Sequence, residues 1–279
     1  MSETLDLAAV DGAVLDMDGV LWLDDLALPG MKELFALLAR LDLPYVLATN
    51  NAGFSPADYA RKLARMGVDV LPTRIVTSAV ATATWLQGEL PAGAAVYVVG
   101  SAAAREAVAG AGFELRDGAD APVAAVVAGI DFELTYAKVR DAAALIRSGA
   151  RFVGTNGDLT YPTPEGLAPG AGVILAAIQA ASGAAPTIVG KPEPPMFAAA
   201  LRLLGTPAER TLMVGDRLDT DILGARRAGL RTVLVTTGVD AAREIEATGI
   251  RPDAVYSGLG ELVAAWTSAT VRRSGDGER

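Results

Sequence analysis

Four short stretches of this chain place acids, hydroxyls or a lysine directly after an apolar run. The first is Asp16-Met17-Asp18-Gly19-Val20-Leu21. Acids two residues apart share one side of a strand, and Gly19 starts a turn out of it. Adjacent carboxylates repel unless a cation intervenes, and Mg²⁺ fits because hard cations take oxygen ligands. The second is Thr49-Asn50-Asn51, where a hydroxyl and loop amides can hold phosphate oxygens. The third is Gly190-Lys191-Pro192, which offers a point charge for phosphate. The fourth is Gly215-Asp216-Arg217-Leu218-Asp219-Thr220-Asp221, more acids at a strand end. Each has a plainer reading when taken alone. Asp-Gly is a turn former, Thr49 to Asn51 reads as strand-end turn chemistry, Lys191 as a solvated lysine, and acids are favourable at a helix N-terminus. Asp219 fits that last role.

The composition narrows the chemistry. The chain has 279 residues, 51% of them apolar, with neither cysteine nor histidine. Disulfides, thiolate nucleophiles, cysteine zinc sites and imidazole acid–base catalysis are excluded. Catalysis has to run on carboxylates, lysine, hydroxyls, backbone amides or a metal held by oxygen. Net charge is −9, and close basic groupings such as Arg226-Arg227 and Arg272-Arg273 are short. A nucleic-acid partner is not expected without a basic stripe. No apolar run reaches the roughly 18 residues that span a bilayer, and Met1 to Asp11 lacks the basic start of a secretory signal. A cytoplasmic protein with no membrane or nucleic-acid partner is the expectation.

The elements that position these residues alternate β-like runs with helical stretches ending in glycine, the pattern of α/β layering. Runs at 12–18, 45–49, 95–99, 123–128, 151–154, 212–214, 232–235 and 254–256 read as strands. Several are apolar at consecutive positions, as parallel strands covered on both faces are. Leu34, Leu37, Leu38 and Leu41 recur at helical spacing. Ser55-Pro56-Ala57-Asp58 reads as a helix start, with the stop at Gly67. Thr135 caps a helix closed by Gly149, Pro195 opens another stopped at Gly205, and 220–228 is a short helix. Residues 81–186, rich in Ala and Gly and flanked by turn clusters, read as an inserted domain between core segments 1–80 and 187–270. Residues 271–279 read as a flexible tail.

In this order, each at a strand end, the four stretches resemble the haloacid dehalogenase superfamily of phosphatases. DMDGVLW, ATNN, VGKPEP and GDRLDTDI are similar to the forms of its NagD-like, p-nitrophenylphosphatase branch, as is the segment from Asn156-Gly157-Asp158 through Pro169-Gly170-Ala171-Gly172. The resemblance reaches to about residue 265. It implies a Rossmann-like doubly wound parallel sheet with an inserted α/β cap of the C2 type.

The resemblance also implies Mg²⁺-dependent hydrolysis of a phosphomonoester through an aspartyl phosphate. Asp16 would be the nucleophile and a metal ligand. Asp18 would protonate the leaving oxygen, deprotonate the attacking water and bind the metal through its carbonyl. Thr49, the Asn50 amide and Asn51 would hold phosphoryl oxygens and Lys191 would neutralise them. Asp216 would ligate the metal, with Asp221 behind it as an orienting group. A lid over such a site favours small substrates: p-nitrophenyl phosphate-type esters, glycerol 3-phosphate, phosphoglycolate, sugar phosphates, nucleotides or pyridoxal phosphate. Loops near Asn156, Asp158 and Tyr161 are candidates for leaving-group contacts, with turn capping the plainer reading for the first two. Caps of this kind can dimerise. Dehalogenation is disfavoured by the second acid, Asp18, and a dinucleotide oxidoreductase by DMDGVL where GxGxxG would stand. A weakly catalytic phosphometabolite-binding or sensor protein is the competing class, although a sensor has no need of Asp18.

Overall fold

In the computed structural model, which describes residues 5–163 and 166–276, the apolar runs become short buried strands. In chain order they are β1 (Gly12–Leu15), β2 (Trp22–Leu23), β3 (Leu26–Ala27), β4 (Tyr45–Thr49), β5 (Ile75–Thr77), β6 (Ala95–Val99), β7 (Glu114–Arg116), β8 (Ala125–Ala128), β9 (Arg151–Gly154), β10 (Thr160–Thr163), β11 (Gly166–Pro169), β12 (Thr187–Ile188), β13 (Thr211–Gly215), β14 (Arg231–Val235) and β15 (Ala254–Tyr256). β1, β8 and β13 are buried at every residue. That is what a strand covered on both faces requires, and it explains why their sequences do not alternate.

Two parallel arrays result. The first has the order β15-β14-β13-β1-β4-β5. β1 pairs in parallel with β13, Gly12 opposite Thr211, and with β4, Ala13 opposite Tyr45. The chain therefore winds outward from β1 through β4 and returns to β13 on its other side. The β1–β13 border is a topological switch point, whose carboxyl end is where open α/β sheets bind ligands. The second array has the order β12-β9-β8-β6-β7, parallel throughout. The fold is α/β, with a doubly wound parallel sheet and a second α/β sheet encoded between its strands.

The chain forms two compact units. One comprises Met1–Ala48, Ala60–Ile75 and Ala200–Arg279. Its core holds Leu15, Leu34, Leu38, Leu47, Trp22 and Trp266, all fully buried, and helix Met31–Arg40 packs on helix Leu259–Asp276. That last helix runs through 271–276 of the expected tail, and 277–279 lie outside the described residues. The other unit comprises Thr49–Tyr59 and Val76–Ala199. There, helices Tyr136–Arg147 and Ala171–Ser182 bury Ala142, Leu145, Ile146, Ile174, Leu175 and Ile178 against Tyr97, Val126 and Phe152 of the sheet. Each fully buried large aliphatic or aromatic side chain contributes roughly 1.5–3 kcal/mol.

Helix starts follow their sequence signals. Asp58 N–H donates to Ser55 Oγ at 3.2 Å, while Asp58 Oδ2 accepts from Ser55 N–H at 2.8 Å. This is a reciprocal box with Asp in the usual Glu place. Thr135 Oγ1 accepts from Lys138 N–H at 3.2 Å. Helix Pro194–Leu204 ends at Gly205, whose φ of 70° suits glycine. Among the described residues, no helix is long and apolar enough to cross a membrane.

Candidate active site

β1 and β13 deliver three acids to one place. Asp16 follows Leu15, and its N–H donates to Val214 O at 2.9 Å, which continues the parallel ladder one step beyond the strand. Asp216 follows the fully buried β13. Asp221 is brought inward by the turn after it. The sequence suggested an ordinary short helix here, and the backbone instead makes one π turn, Leu218–Ile222, followed by helix Leu223–Arg227. Arg217 O accepts from both Asp221 and Ile222 N–H at 3.1 Å. Alternate acids of the turn then separate. Asp221 is buried, and its Oδ2 accepts from Arg217 N–H at 3.1 Å. Asp219 is exposed and pairs with the Arg217 guanidinium at 3.1–3.2 Å.

Asp16, Asp216 and Asp221 are 7%, 2% and 1% exposed. Each can offer a carboxylate oxygen so that the three atoms lie within 4.8 Å of one another. Charges buried this close cost several kcal/mol each unless compensated. An all-carboxylate oxygen set is the donor chemistry that hard divalent cations take, so these residues fit Mg²⁺.

Glycines form the walls of this cluster. Gly19 has φ +82°, and a Cβ there would overlap the Asp216 carboxylate. A Cβ on Gly238 would overlap the same carboxylate, and one on Gly215 would overlap Asp221. Val239 N–H, beside Gly238, donates to Asp216 Oδ2 at 2.7 Å. The Gly238→Ala variant should therefore displace Asp216 and weaken metal binding about 10–100-fold, the usual effect of disturbing groups that orient ligands. Calorimetric Mg²⁺ titration checks this, and unchanged affinity would refute it.

Asp18 is not part of the buried trio. It is exposed, on the turn where Met17 O accepts from Val20 and Leu21 N–H. The Trp22 indole Nε1–H donates to Asp18 Oδ1 at 2.8 Å. Trp22 is itself fully buried at the start of the β2–β3 hairpin, with Lys62 Nζ 4.8 Å from its ring centroid. Trp22 is a contact that sequence reasoning did not single out. Its only signal was an aromatic four residues after an acid.

The second unit gathers the other motif residues. Thr49 ends β4 and is buried, and its Oγ1 accepts from Asn51 N–H at 3.1 Å. Its own hydroxyl proton stays available for donation. Asn51 Oδ1 accepts from Gly53 N–H at 2.8 Å, so Asn51 commits its N–H and Oδ1 to the turn. Lys191 is 3% exposed. Asn50 Oδ1 accepts from Lys191 N–H at 2.7 Å, and Asn50 Nδ2 donates to Lys191 O at 2.9 Å and to Asp158 Oδ2 at 3.1 Å. Asn156 Nδ2 donates to Asn50 O at 2.7 Å, and Asn156 Oδ1 accepts from Asp158 N–H at 3.1 Å. Turn capping is thus present at Asn156 and Asp158, but both side chains also reach Asn50. Tyr161 lies on the β10–β11 hairpin, opposite Ala168.

Comparison with known proteins decides the family. Residues 13–114 match the model described as haloacid dehalogenase-like hydrolase, and residues 188–262 match a second, HAD-hydrolase-like model. A dihydroxyacetone phosphatase of Corynebacterium glutamicum (strain R) is 39% identical over 251 residues, 90% of each chain. The chain belongs to the haloacid dehalogenase-like hydrolases. Among solved members, the 4-nitrophenylphosphatase of Thermotoga maritima superposes with a TM-score of 0.87 at 35% identity, covering 93% of this chain and 98% of that one. NagD from E. coli K-12 superposes at 0.84 and 36%, covering 90% and 98%. The glycerol phosphate phosphatase of Mycobacterium tuberculosis, solved in complex with magnesium, superposes at 0.86 and 33%, covering 93% and 78%. This hydrolase therefore shares the NagD and nitrophenylphosphatase architecture over nearly its whole length.

Proposed function

We propose that this haloacid dehalogenase-like hydrolase is a Mg²⁺-dependent phosphatase of small phosphomonoesters that works through an aspartyl phosphate on Asp16. The observation that carries this is the buried carboxylate trio at the switch point, in a chain whose relatives are named phosphatases. Asp16, Asp216 and the Asp18 carbonyl would hold the metal, with Asp221 beside them. When bound, the metal neutralises charge on the phosphate dianion.

The residues divide the remaining work. A carboxylate oxygen of Asp16 forms the new bond to phosphorus as the bond to the ester oxygen breaks. Asp18 gives its proton to that leaving oxygen. In the second half, water attacks the same phosphorus, Asp18 takes the water's proton, and the Asp16 carboxylate is released with inorganic phosphate. Two displacements through a covalent intermediate replace one harder step. Thr49, the backbone amide of Asn50 and Asn51 hold the phosphoryl oxygens and Lys191 offsets their charge. Positioning and electrostatics of this kind carry most of phosphoryl-transfer catalysis.

We assign residues 1–80 and 187–270 to the catalytic core and 81–186 to the inserted cap, and place the enzyme in the cytoplasm. The relatives named dihydroxyacetone phosphatase, acid sugar phosphatase and glycerol phosphate phosphatase favour small polyol, ketose and sugar phosphates as substrates. The test is release of p-nitrophenolate with and without EDTA. Activity should vanish with the chelator and return with Mg²⁺, whereas chelator-independent release would refute the assignment. A panel of about a hundred phosphometabolites compared by kcat/KM then ranks the substrates, because discrimination lives in that ratio.

A further inference from the structure

We propose that the Asn50 side chain is a positioning residue for Lys191, and that Asp158 in turn holds Asn50. This rests on reading Lys191 as the cation that offsets phosphate charge.

The carboxamide grips both polar groups of the Lys191 main chain. Oδ1 accepts from its N–H at 2.7 Å and Nδ2 donates to its carbonyl at 2.9 Å. The amide orientation is fixed by its partners, because Oδ1 meets an N–H while Nδ2 meets two oxygens, Lys191 O and Asp158 Oδ2. No other side chain of this size offers a donor and an acceptor in that arrangement, and Asp would set an oxygen against two oxygens. The residue doing the gripping is itself anchored. The Asn50 carbonyl accepts from Asn156 Nδ2 at 2.7 Å and from Ser78 Oγ.

Packing closes the arrangement. A Cβ on Gly190 would stand 2.7 Å from Asn50 Oδ1 and 2.6 Å from Thr155 O, so the lysine loop lies directly against Asn50 and the 155–158 segment. The ammonium of Lys191 is carried five bonds from its Cα. A small rotation of the main chain there becomes a large displacement at Nζ, and an error near 1 Å at a reacting group costs about 10²-fold. Holding the main chain at two points removes that rotation. The Asp158 bond makes the clamp depend on the loop leading into the β10–β11 hairpin.

A double-mutant cycle on the full chain tests this, with p-nitrophenyl phosphate turnover and calorimetric affinity for inorganic phosphate as readouts. Asn50→Ala should lower kcat about 10–100-fold and weaken phosphate binding. In a Lys191→Met background the same change should cost less than about threefold, because the group it aims is gone. A purely structural role would carry its full cost into both backgrounds. Equal costs in the two backgrounds, with Lys191→Met itself impaired, would overturn the clamp alone. Full activity in Lys191→Met would overturn the reading of Lys191 and the clamp with it. Thermal melts report whether each variant folds. Should Asn50→Ala not fold, Asp158→Ala replaces it in the cycle. It leaves the two Lys191 bonds and should cost about threefold or more with Lys191 present and nothing without it; equal cost in both would overturn the proposal.

Discussion

Asn in place of Asp16 should reduce turnover by on the order of 10⁴-fold or more, the scale seen when a covalent catalyst loses a core catalytic side chain. The two side chains have nearly the same volume. Asp16 is buried at the end of a strand whose main-chain bond to Val214 O does not involve the side chain. The variant should therefore fold, and its loss should be chemical. A carboxamide is a poor nucleophile toward phosphorus and brings no negative charge to the metal. Two measurements separate these effects. Rapid acid quench with ³²P-labelled substrate should trap a phosphoprotein in the parent and none in Asp16→Asn, at any Mg²⁺ concentration. Beryllofluoride, which mimics phosphate on a carboxylate, should bind the parent and not the variant. A trapped phosphoprotein in Asp16→Asn would remove Asp16 as nucleophile while leaving it a metal ligand.

Much of this frame was legible because parallel strands advertise themselves. Tyr45–Thr49, Ala95–Val99, Arg151–Gly154 and Ala254–Tyr256 are uninterrupted runs, and each is a strand with those bounds. β7 and the two hairpins left no such mark. Glu114–Arg116 is an edge strand with two exposed residues, and β2 and β3 are two residues each, too short for any period to register. The sequence shows one apolar stretch at 12–18, but the strand stops at Leu15 because the chain turns through Met17 to Gly19.

Site residues divide along the same line. Each acid is visible locally as an Asp after an apolar run. That Asp16 and Asp216, 200 positions apart, share a site follows from β1 pairing with β13, which no local pattern encodes. Asn50 is the sharper case. Its sequence neighbourhood shows a turn, while its side chain serves Lys191, 141 residues away. The π turn that buries Asp221 was equally silent, since a helical run of acids reads the same whether it closes at four residues or five.

Asp18→Asn should lower steady-state turnover of alkyl phosphates by about 10²-fold or more, a typical general acid–base contribution, with a response that depends on the leaving group. Asn keeps an oxygen for the Trp22 indole N–H, which donates to Oδ1 at 2.8 Å, so the turn and hairpin should be undisturbed. What is lost is a proton that can be given and taken back. An alkoxide leaves badly without that proton, so alkyl esters should stall at the first displacement and form little phosphoprotein. Nitrophenolate is stabilised by its own ring and needs no proton to leave. With p-nitrophenyl phosphate the variant should still phosphorylate Asp16, then stall because nothing deprotonates the incoming water. The expected signature is a burst of one nitrophenolate per enzyme followed by a slow phase, alongside a phosphoprotein that persists for longer than in the parent. Equal losses on both ester types with no burst would show that Asp18 acts through metal binding or structure and not as the acid and base. Near-parental rates on glycerol phosphate would remove it from the chemistry altogether. In the proposed mechanism one carboxylate serves both half-reactions, and Asp18 stands outside the buried acidic trio for that role, exposed and tied by one oxygen to a buried indole.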